Sequence, residues 1–147
     1  MGGTTSGWSL YLKDSIPVFC YNFSGVEYTY IRGNDKLSTG TRVIRFEFQK
    51  TGKEPMGAGG TGRIFVDDKP VAEGHIARTC PVVYSADETF DVGWDKGTPV
   101  SEEYEPIARF TGRVIRVDFD LKPDFHPDAK DPEKRAEPAF AHAMLRQ

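Results

Sequence analysis

The residues of this chain best suited to chemistry are a local cluster of acids. Seven Asp and Glu residues lie between Asp87 and Glu105, against one basic residue, Lys96. Oxygen ligands gathered in a glycine-containing bend suit Ca²⁺, although the spacing is not that of an EF-hand loop. The cluster therefore predicts a calcium site at Asp87, Asp91 and Asp95, with a solvated acidic loop as the alternative.

Three aromatic residues offer a second kind of site. Tyr28 and Tyr30 share one side of a predicted strand, because side chains alternate along a strand, and Trp94 lies within the acidic segment. Aromatic rings of this kind stack on sugars, and they also pack in cores. Tyr28, Tyr30 and Trp94 are therefore candidate ligand-stacking residues, with ordinary packing as the alternative.

The sequence contains no recognisable catalytic constellation. The three histidines His75, His126 and His142 and the two cysteines Cys20 and Cys80 are scattered, without the spacing of a metal site. There is no Gly-x-Ser-x-Gly nucleophile elbow. The glycine-rich stretch 56–62 has neither the following helix nor the lysine of a phosphate-binding loop, so it predicts a long hairpin loop. No catalytic residue is assigned, and no activity is expected from the chain itself.

The elements that must position these residues are predicted to be strands. Val, Ile, Phe, Tyr and Trp make up 36 residues against 15 of Leu and Ala, which favours an all-β fold. Short runs of alternating polarity, separated by turn residues, indicate an antiparallel β-sandwich with hairpins at its first and fifth strands. The predicted strands are 9–13, 17–23, 27–32, 41–49, 63–66, 70–76 and 113–121, with weaker ones at 82–85 and 107–110.

The chain divides by composition into three parts. Residues 1–6 predict a flexible glycine-rich segment, and residues 7–121 a single β-sandwich domain. Residues 122–147 contain several prolines and many charges, which predict an extended arm. Within that arm, residues 138–146 have the pattern of a short helix that either frays or docks.

Charge and hydropathy exclude two classes of partner. The net charge of −3 leaves no excess of Lys and Arg for binding phosphate backbones, so no nucleic-acid partner is expected. No apolar run approaches the length of a membrane span, so no membrane partner is expected. Charge and hydropathy are typical of a soluble protein, and they leave open whether it belongs to the cytoplasm or the periplasm.

Several segments together resemble the C-terminal domain of the large bacterial arylsulfatases. The similarity covers nearly all of residues 7 to 121, in order. The segments that carry it include Gly7-Trp8-Ser9-Leu10-Tyr11-Leu12-Lys13-Asp14, Thr41-Arg42-Val43-Ile44-Arg45-Phe46-Glu47-Phe48, Gly59-Gly60-Thr61-Gly62-Arg63-Ile64-Phe65-Val66-Asp67, Asp87-Glu88-Thr89-Phe90-Asp91-Val92-Gly93 and Phe110-Thr111-Gly112.

The resemblance implies a jelly roll of the concanavalin A-like or laminin-G-like type that follows a sulfatase catalytic domain. The formylglycine nucleophile and the Ca²⁺ of that family belong to the catalytic domain, and Cys80-Pro81-Val82 does not match its Cys/Ser-x-Pro-Ser-Arg motif. The expected function is a non-catalytic accessory domain that supports a sulfate-ester hydrolase through domain packing or oligomerisation. Its expected partner is the catalytic domain or another copy of the chain. The alternative is a stand-alone, lectin-like carbohydrate-binding module, with or without calcium.

Overall fold

The computed structural model describes residues 1–81, 88 and 90–121. This part of the chain is all-β, as predicted, and none of it forms a helix that is long and apolar enough to cross a membrane. The predicted strand at 82–85, the arm 122–147 and its helix lie outside the described residues. The six strands are β1 (Gly7–Lys13), β2 (Ile16–Phe23), β3 (Glu27–Arg32), β4 (Ile44–Lys50), β5 (Ala58–Val66) and β6 (Lys69–Arg78).

The strands form two three-stranded antiparallel sheets. Sheet 1 has the order β1-β2-β3 and sheet 2 the order β4-β5-β6, so each is a meander of consecutive hairpins. Both predicted hairpins, β1-β2 and β5-β6, are confirmed. Period-two alternation places every second side chain of each sheet on an inner face, which meets the other sheet, and the rest on an outer face.

The inner faces of the two sheets share one hydrophobic core. Phe19 of sheet 1 stacks on Phe46 of sheet 2, with ring centroids 3.5 Å apart and planes 4° from parallel. Ile31 from β3 joins the same cluster, together with Ile64 and Ile76 from the opposite sheet. Because both sheets contribute fully buried side chains, neither sheet's inner face is stable in water without the other.

Glycines in sheet 2 make this close packing of Ile31 possible. Gly62 and Gly74 face each other across β5 and β6, and a Cβ at Gly74 would lie 2.7 Å from Ile31 Cγ1. The prediction that residues 56–62 form a loop is therefore wrong from Ala58 onward, where the chain is already in β5. Glycine is depleted in strands for lack of side-chain packing, but here its small size admits a side chain from the facing sheet.

Two hairpin turns force non-glycine residues into left-handed backbone conformations. Asp14 and Ser15 join β1 to β2 with φ of 52° and 67°, and Asp67 and Asp68 join β5 to β6 with φ of 48° and 63°. Two central residues of positive φ are the pattern of a type I′ turn, which matches the twist of the strands. Asp tolerates this region better than Ser does, so Ser15 is the strained member of the first turn.

We expect Ser15→Gly to stabilise the protein by about 0.5–1 kcal/mol. The left-handed conformation costs an ordinary residue about 1–2 kcal/mol, and the greater entropy of an unfolded glycine offsets part of the gain. The measurement is the urea midpoint of unfolding, with Ser15→Ala as the control that should bring no gain. A lower midpoint for Ser15→Gly than for the parent protein would contradict the assignment of strain to this turn.

Residues 113–121 do not form the strand that their sequence predicts. The chain divides into two compact units, Met1–Arg113 and Val114–Gln147, and the described start of the second unit is exposed and contains no strand. Arg116 donates a hydrogen bond to Asp118 within it, at 2.7 Å. The prediction is wrong for the single chain because alternation only favours a strand, whereas a strand forms when a neighbouring strand satisfies its backbone groups.

Candidate functional site

The acidic segment contributes a strap, residues 98–104, that packs on the outer face of sheet 1. The centre of the strap is fully enclosed, since Val100 and Ser101 are each only 1% exposed. The Cys20 thiol of β2 lies beneath it, with Sγ 4.0 Å from the Val100 carbonyl oxygen. Burial on this scale outside a strand identifies the strap as a structural cover of sheet 1.

Ser101 is held by two tyrosines that project from sheet 1. Its Oγ lies 3.0 Å from the Tyr11 hydroxyl, donates to the Tyr30 hydroxyl at 3.4 Å and accepts the Glu103 backbone N–H at 3.1 Å. Burial, and after it the hydrogen bond to Glu103, raises the pKa of Tyr11 far above its ordinary value. Because both phenols stay protonated at neutral pH, neither is a base that activates Ser101 as a nucleophile.

Glu103 fastens the end of the strap to sheet 1. The Tyr11 hydroxyl donates to its carboxylate at 2.5 Å, and Arg32 of β3 forms an ion pair with it. The Lys13 ammonium donates to the Glu103 backbone carbonyl at 2.6 Å. A carboxylate bound by a phenol and a guanidinium has a structural role, and its negative charge is compensated within the chain.

The middle of the acidic segment is tied to the strap by Tyr104. Its hydroxyl donates to Asp95 Oδ2 at 2.9 Å, and its ring meets the Tyr11 ring edge-on with centroids 5.1 Å apart. Burial raises the pKa of Tyr104 well above its ordinary value. The arrangement keeps Tyr104 as a permanent hydrogen-bond donor to Asp95.

The buried Cys20 thiol predicts a loss of stability in alkaline solution. Burial raises its pKa from an ordinary value of 9.0 to about 11, so the folded protein keeps this proton at a pH where the unfolded chain releases it. The protonated thiol contributes fully to the free energy of unfolding below pH 9. This contribution is lost as the pH rises toward 11, and about 1 kcal/mol of it is lost by pH 10. We expect the fall in unfolding free energy from pH 8 to pH 10 to be smaller by this amount in Cys20→Ala. An equal fall in both proteins would show that the thiol is not shielded by the strap.

Two of the three acids predicted to bind calcium, Asp91 and Asp95, accept hydrogen bonds. Asp91 Oδ2 accepts the Lys96 backbone N–H at 3.1 Å, and Asp95 accepts the Tyr104 hydroxyl. Asp87 lies outside the described residues. Among the residues that are described, no three His, Cys, Asp or Glu side chains are grouped to hold a metal ion. The calcium site at these three acids stays a prediction.

The candidate stacking residues occupy two separate environments. Tyr28 and Tyr30 lie side by side on β3, with ring centroids 6.4 Å apart and planes within 16° of parallel. Trp94 pairs with Arg109 in an isolated β-bridge. Lys96 Nζ and Arg109 Cζ lie 4.6 and 4.5 Å from the centroid of the Trp94 ring. The two tyrosines therefore form a stacked pair, and a sugar at Trp94 would compete with two cations.

Asn22 is a structural residue that sequence reasoning missed. It is completely buried in β2, and its side-chain amide donates to the carbonyls of Gly3 and Thr4 at 2.9 and 3.0 Å. Its side-chain oxygen accepts the Gly25 N–H at 2.8 Å. The signal in the sequence was a single amide side chain within an apolar strand, because the polar groups of a buried amide need hydrogen-bond partners. Two of these bonds join sheet 1 to Gly3 and Thr4, which lie in the segment interpreted as flexible from the sequence.

The outer face of sheet 2 is polar and carries networks of charge. Arg63 Nε donates to Glu73 at 2.5 Å, and another nitrogen of Arg63 donates to Gln49 at 3.2 Å. The Arg45 guanidinium lies over the Phe65 ring, 4.1 Å from its centroid. Exposed pairs of this kind add little stability, so this face is suited to solvent or to a polar partner.

A comparison of the chain with protein-family models, with curated proteins and with solved structures found no match.

Proposed function

We propose that this chain is a non-catalytic accessory domain that supports a sulfate-ester hydrolase by packing against its catalytic domain or by oligomerising. The segments that resemble arylsulfatase C-terminal domains support the choice of enzyme class. The proposal that the domain is non-catalytic is supported by the enclosure of Ser101 between two protonated phenols. The finer fold that we propose is a jelly roll of the concanavalin A-like or laminin-G-like type.

The engagement of the reactive groups within the strap supports this role. Tyr11, Ser101 and Glu103 bind one another and sheet 1, so their hydrogen-bonding capacity is used for folding. An active site needs a nucleophile or an acid–base pair that reaches a substrate. A cluster that is closed in this way supplies neither, whereas it gives a rigid scaffold of the kind that a packing domain requires.

Two measurements test this function. The first is the sequence of the coding region that adjoins the one for this chain, where we expect a Cys/Ser-x-Pro-Ser-Arg segment. The second is turnover of p-nitrophenyl sulfate by the isolated chain, where we expect the blank rate. Turnover above the blank would overturn the non-catalytic role, and an adjoining region without the motif would count against a sulfatase.

The stacked pair of Tyr28 and Tyr30 favours a second candidate function, carbohydrate binding. Sugars stack on aromatic rings, and Tyr28 and Tyr30 place two such rings at one point of β3. The test is a glycan array with and without a chelator, since calcium is part of this candidate. Here Tyr28→Ala should abolish binding and Tyr28→Phe, which keeps the ring, should retain it. No binding by the parent protein in either condition would remove this candidate.

A further inference from the structure

We propose that β4 of one copy pairs with β4 of a second copy of this chain, antiparallel and about a two-fold axis at Phe46. The pairing joins sheet 2 of both copies into one six-stranded sheet, and the two-fold axis closes the assembly as a dimer. The inference rests on the oligomerising part of the proposed function and deepens it by naming the partner and the surface. Its tests use this chain alone and need no sulfatase, so the two proposals can fail separately.

β4 is an edge strand without the features that protect sheet edges. It pairs with β5 on one side and with no other described strand, and its register against β5 is regular. β6, at the opposite edge of sheet 2, contains Pro70, and a register shift interrupts its pairing with β5. Prolines and bulges prevent sheet edges from pairing, so β4 is the edge of sheet 2 that is better suited to accept another strand.

The hydrogen bonding of β4 to β5 determines which of its backbone groups point to the other side. The Val43 carbonyl accepts the Asp67 backbone N–H at 2.9 Å, so the register assigns Val43, and every second residue after it, to hydrogen bonds with β5. The backbone groups of Ile44, Phe46 and Phe48 therefore point away from β5. In an antiparallel pairing with a second copy, these three residues must lie opposite one another.

The outer row of β4 is self-complementary in charge. It carries Arg45 and Glu47, which form an ion pair with each other and whose side chains are 39% and 48% exposed. In the register centred on Phe46, Arg45 of each copy lies opposite Glu47 of the other, so the dimer contains two opposite-charge pairs. An edge that is protected by charges of one sign repels a second copy, whereas this edge attracts one.

The same register matches the apolar inner row of β4 with itself. Phe46 lies opposite Phe46 of the other copy, and Ile44 lies opposite Phe48 on both sides of the axis. Phe48 is 41% exposed in the single chain, so the pairing removes apolar surface from water.

Neighbouring registers are disfavoured by like charges or by the backbone. Moving the axis to Arg45 places the two arginines opposite each other, and moving it to Glu47 does the same with the two glutamates. An axis between two residues places inner positions opposite outer positions and mismatches the backbone groups. Phe46 is therefore the axis position that the backbone, the charges and the apolar side chains all favour.

The first test is disulfide cross-linking of two cysteine variants of the full chain in a Cys80→Ser background. Directly opposed residues have Cβ atoms about 5 Å apart, within reach of a disulfide, whereas the same residue in the two copies lies diagonally, about 7–8 Å apart. We expect a mixture of Arg45→Cys and Glu47→Cys to give at least tenfold more covalent dimer on mild oxidation than either variant alone. A mixture that yields no more covalent dimer than the separate variants would overturn the proposal.

The second test is the dimer dissociation constant from sedimentation equilibrium. Glu47→Arg places arginines opposite Arg45 twice in each dimer, and Arg45→Glu does the same with glutamates, so we expect each variant to associate about tenfold more weakly than the parent protein. An equimolar mixture of the two variants re-forms both opposite-charge pairs and should recover most of the parent affinity. A parent protein that stays monomeric, or a mixture that is as weak as the separate variants, would overturn the proposal.

The matched control is Glu73→Arg, which makes the same charge change at an exposed position of β6, two strands from the edge. Its dissociation constant should stay within about twofold of the parent value. Its mixture with Arg45→Glu should not recover the parent affinity, because Glu47 then lies opposite the introduced glutamate. Equal recovery in this mixture would show that net charge rather than the register drives association, and would also overturn the proposal.

Discussion

Replacing Asn22 with alanine is expected to lower the free energy of unfolding by about 3–4 kcal/mol. The substitution removes three hydrogen bonds of a completely buried side chain: the bond to the Gly3 carbonyl is buried, and the bonds to the Thr4 carbonyl and the Gly25 amide are partly buried. Each buried backbone group left without a partner costs about 1–3 kcal/mol. The total stays below the sum of three such costs because part of the freed backbone becomes hydrated.

The measurement for Asn22 is chemical denaturation, supported by amide hydrogen exchange. Asn34 is exposed, so Asn34→Ala applies the same chemical change where we expect less than about 0.5 kcal/mol. In Asn22→Ala, the Gly25 amide should exchange faster than in the parent protein. A loss of stability no larger than that of Asn34→Ala would show that Asn22 does not hold residues 1–6.

Gly74→Ala, which adds one methyl group, is expected to lower the free energy of unfolding by about 2–3 kcal/mol. The new Cβ would lie 2.7 Å from Ile31 Cγ1 and 3.2 Å from Ile31 Cδ1, and its three nearest heavy atoms all belong to that one side chain. Overpacking of a close-packed core costs about 1–3 kcal/mol. Ile31 lies between the facing sheets, so relief would require the sheets to separate.

The matched control is the same substitution in an Ile31→Ala background. That background removes Cγ1 and Cδ1 and leaves the Ile31 Cβ at 3.6 Å, an ordinary contact distance. Gly74→Ala should then be close to neutral, and a double-mutant cycle should show coupling of about 2–3 kcal/mol. Equal costs in both backgrounds would mean that Ile31 does not pack over Gly74, and the packing of β3 on sheet 2 would be wrong.

The hairpins could be predicted from the sequence because their determinants are local. Alternation along β1 and β2 fixes which side chains face sheet 2, and Asp14 and Ser15 mark the turn between the two strands. The strand at Gly59 to Gly62 could not be predicted in the same way. At Gly62 the reason for glycine is a side chain about 30 positions earlier, Ile31, and only the packing of the two sheets brings these two residues together.

The candidate site was only partly predictable for the same physical reason. The acids are locally concentrated, which the sequence shows directly, but the bonding of Asp95 to Tyr104 depends on how the strap lies on sheet 1. Ser101 has no periodicity or motif around it, so nothing local indicated its burial. Residues 113–121 have the local pattern of a strand but are not part of one, because alternation alone does not supply a paired strand for the backbone.

The accessory role is tested most directly by isothermal titration of this chain into an arylsulfatase catalytic domain that carries its formylglycine and lacks its own C-terminal domain. We expect saturable binding, and a longer half-life of p-nitrophenyl sulfate turnover at elevated temperature when the chain is added. The chain alone should show no turnover. Hydrolysis by the chain alone, or a titration without binding heat and without any change in that half-life, would contradict a non-catalytic domain that supports a sulfatase.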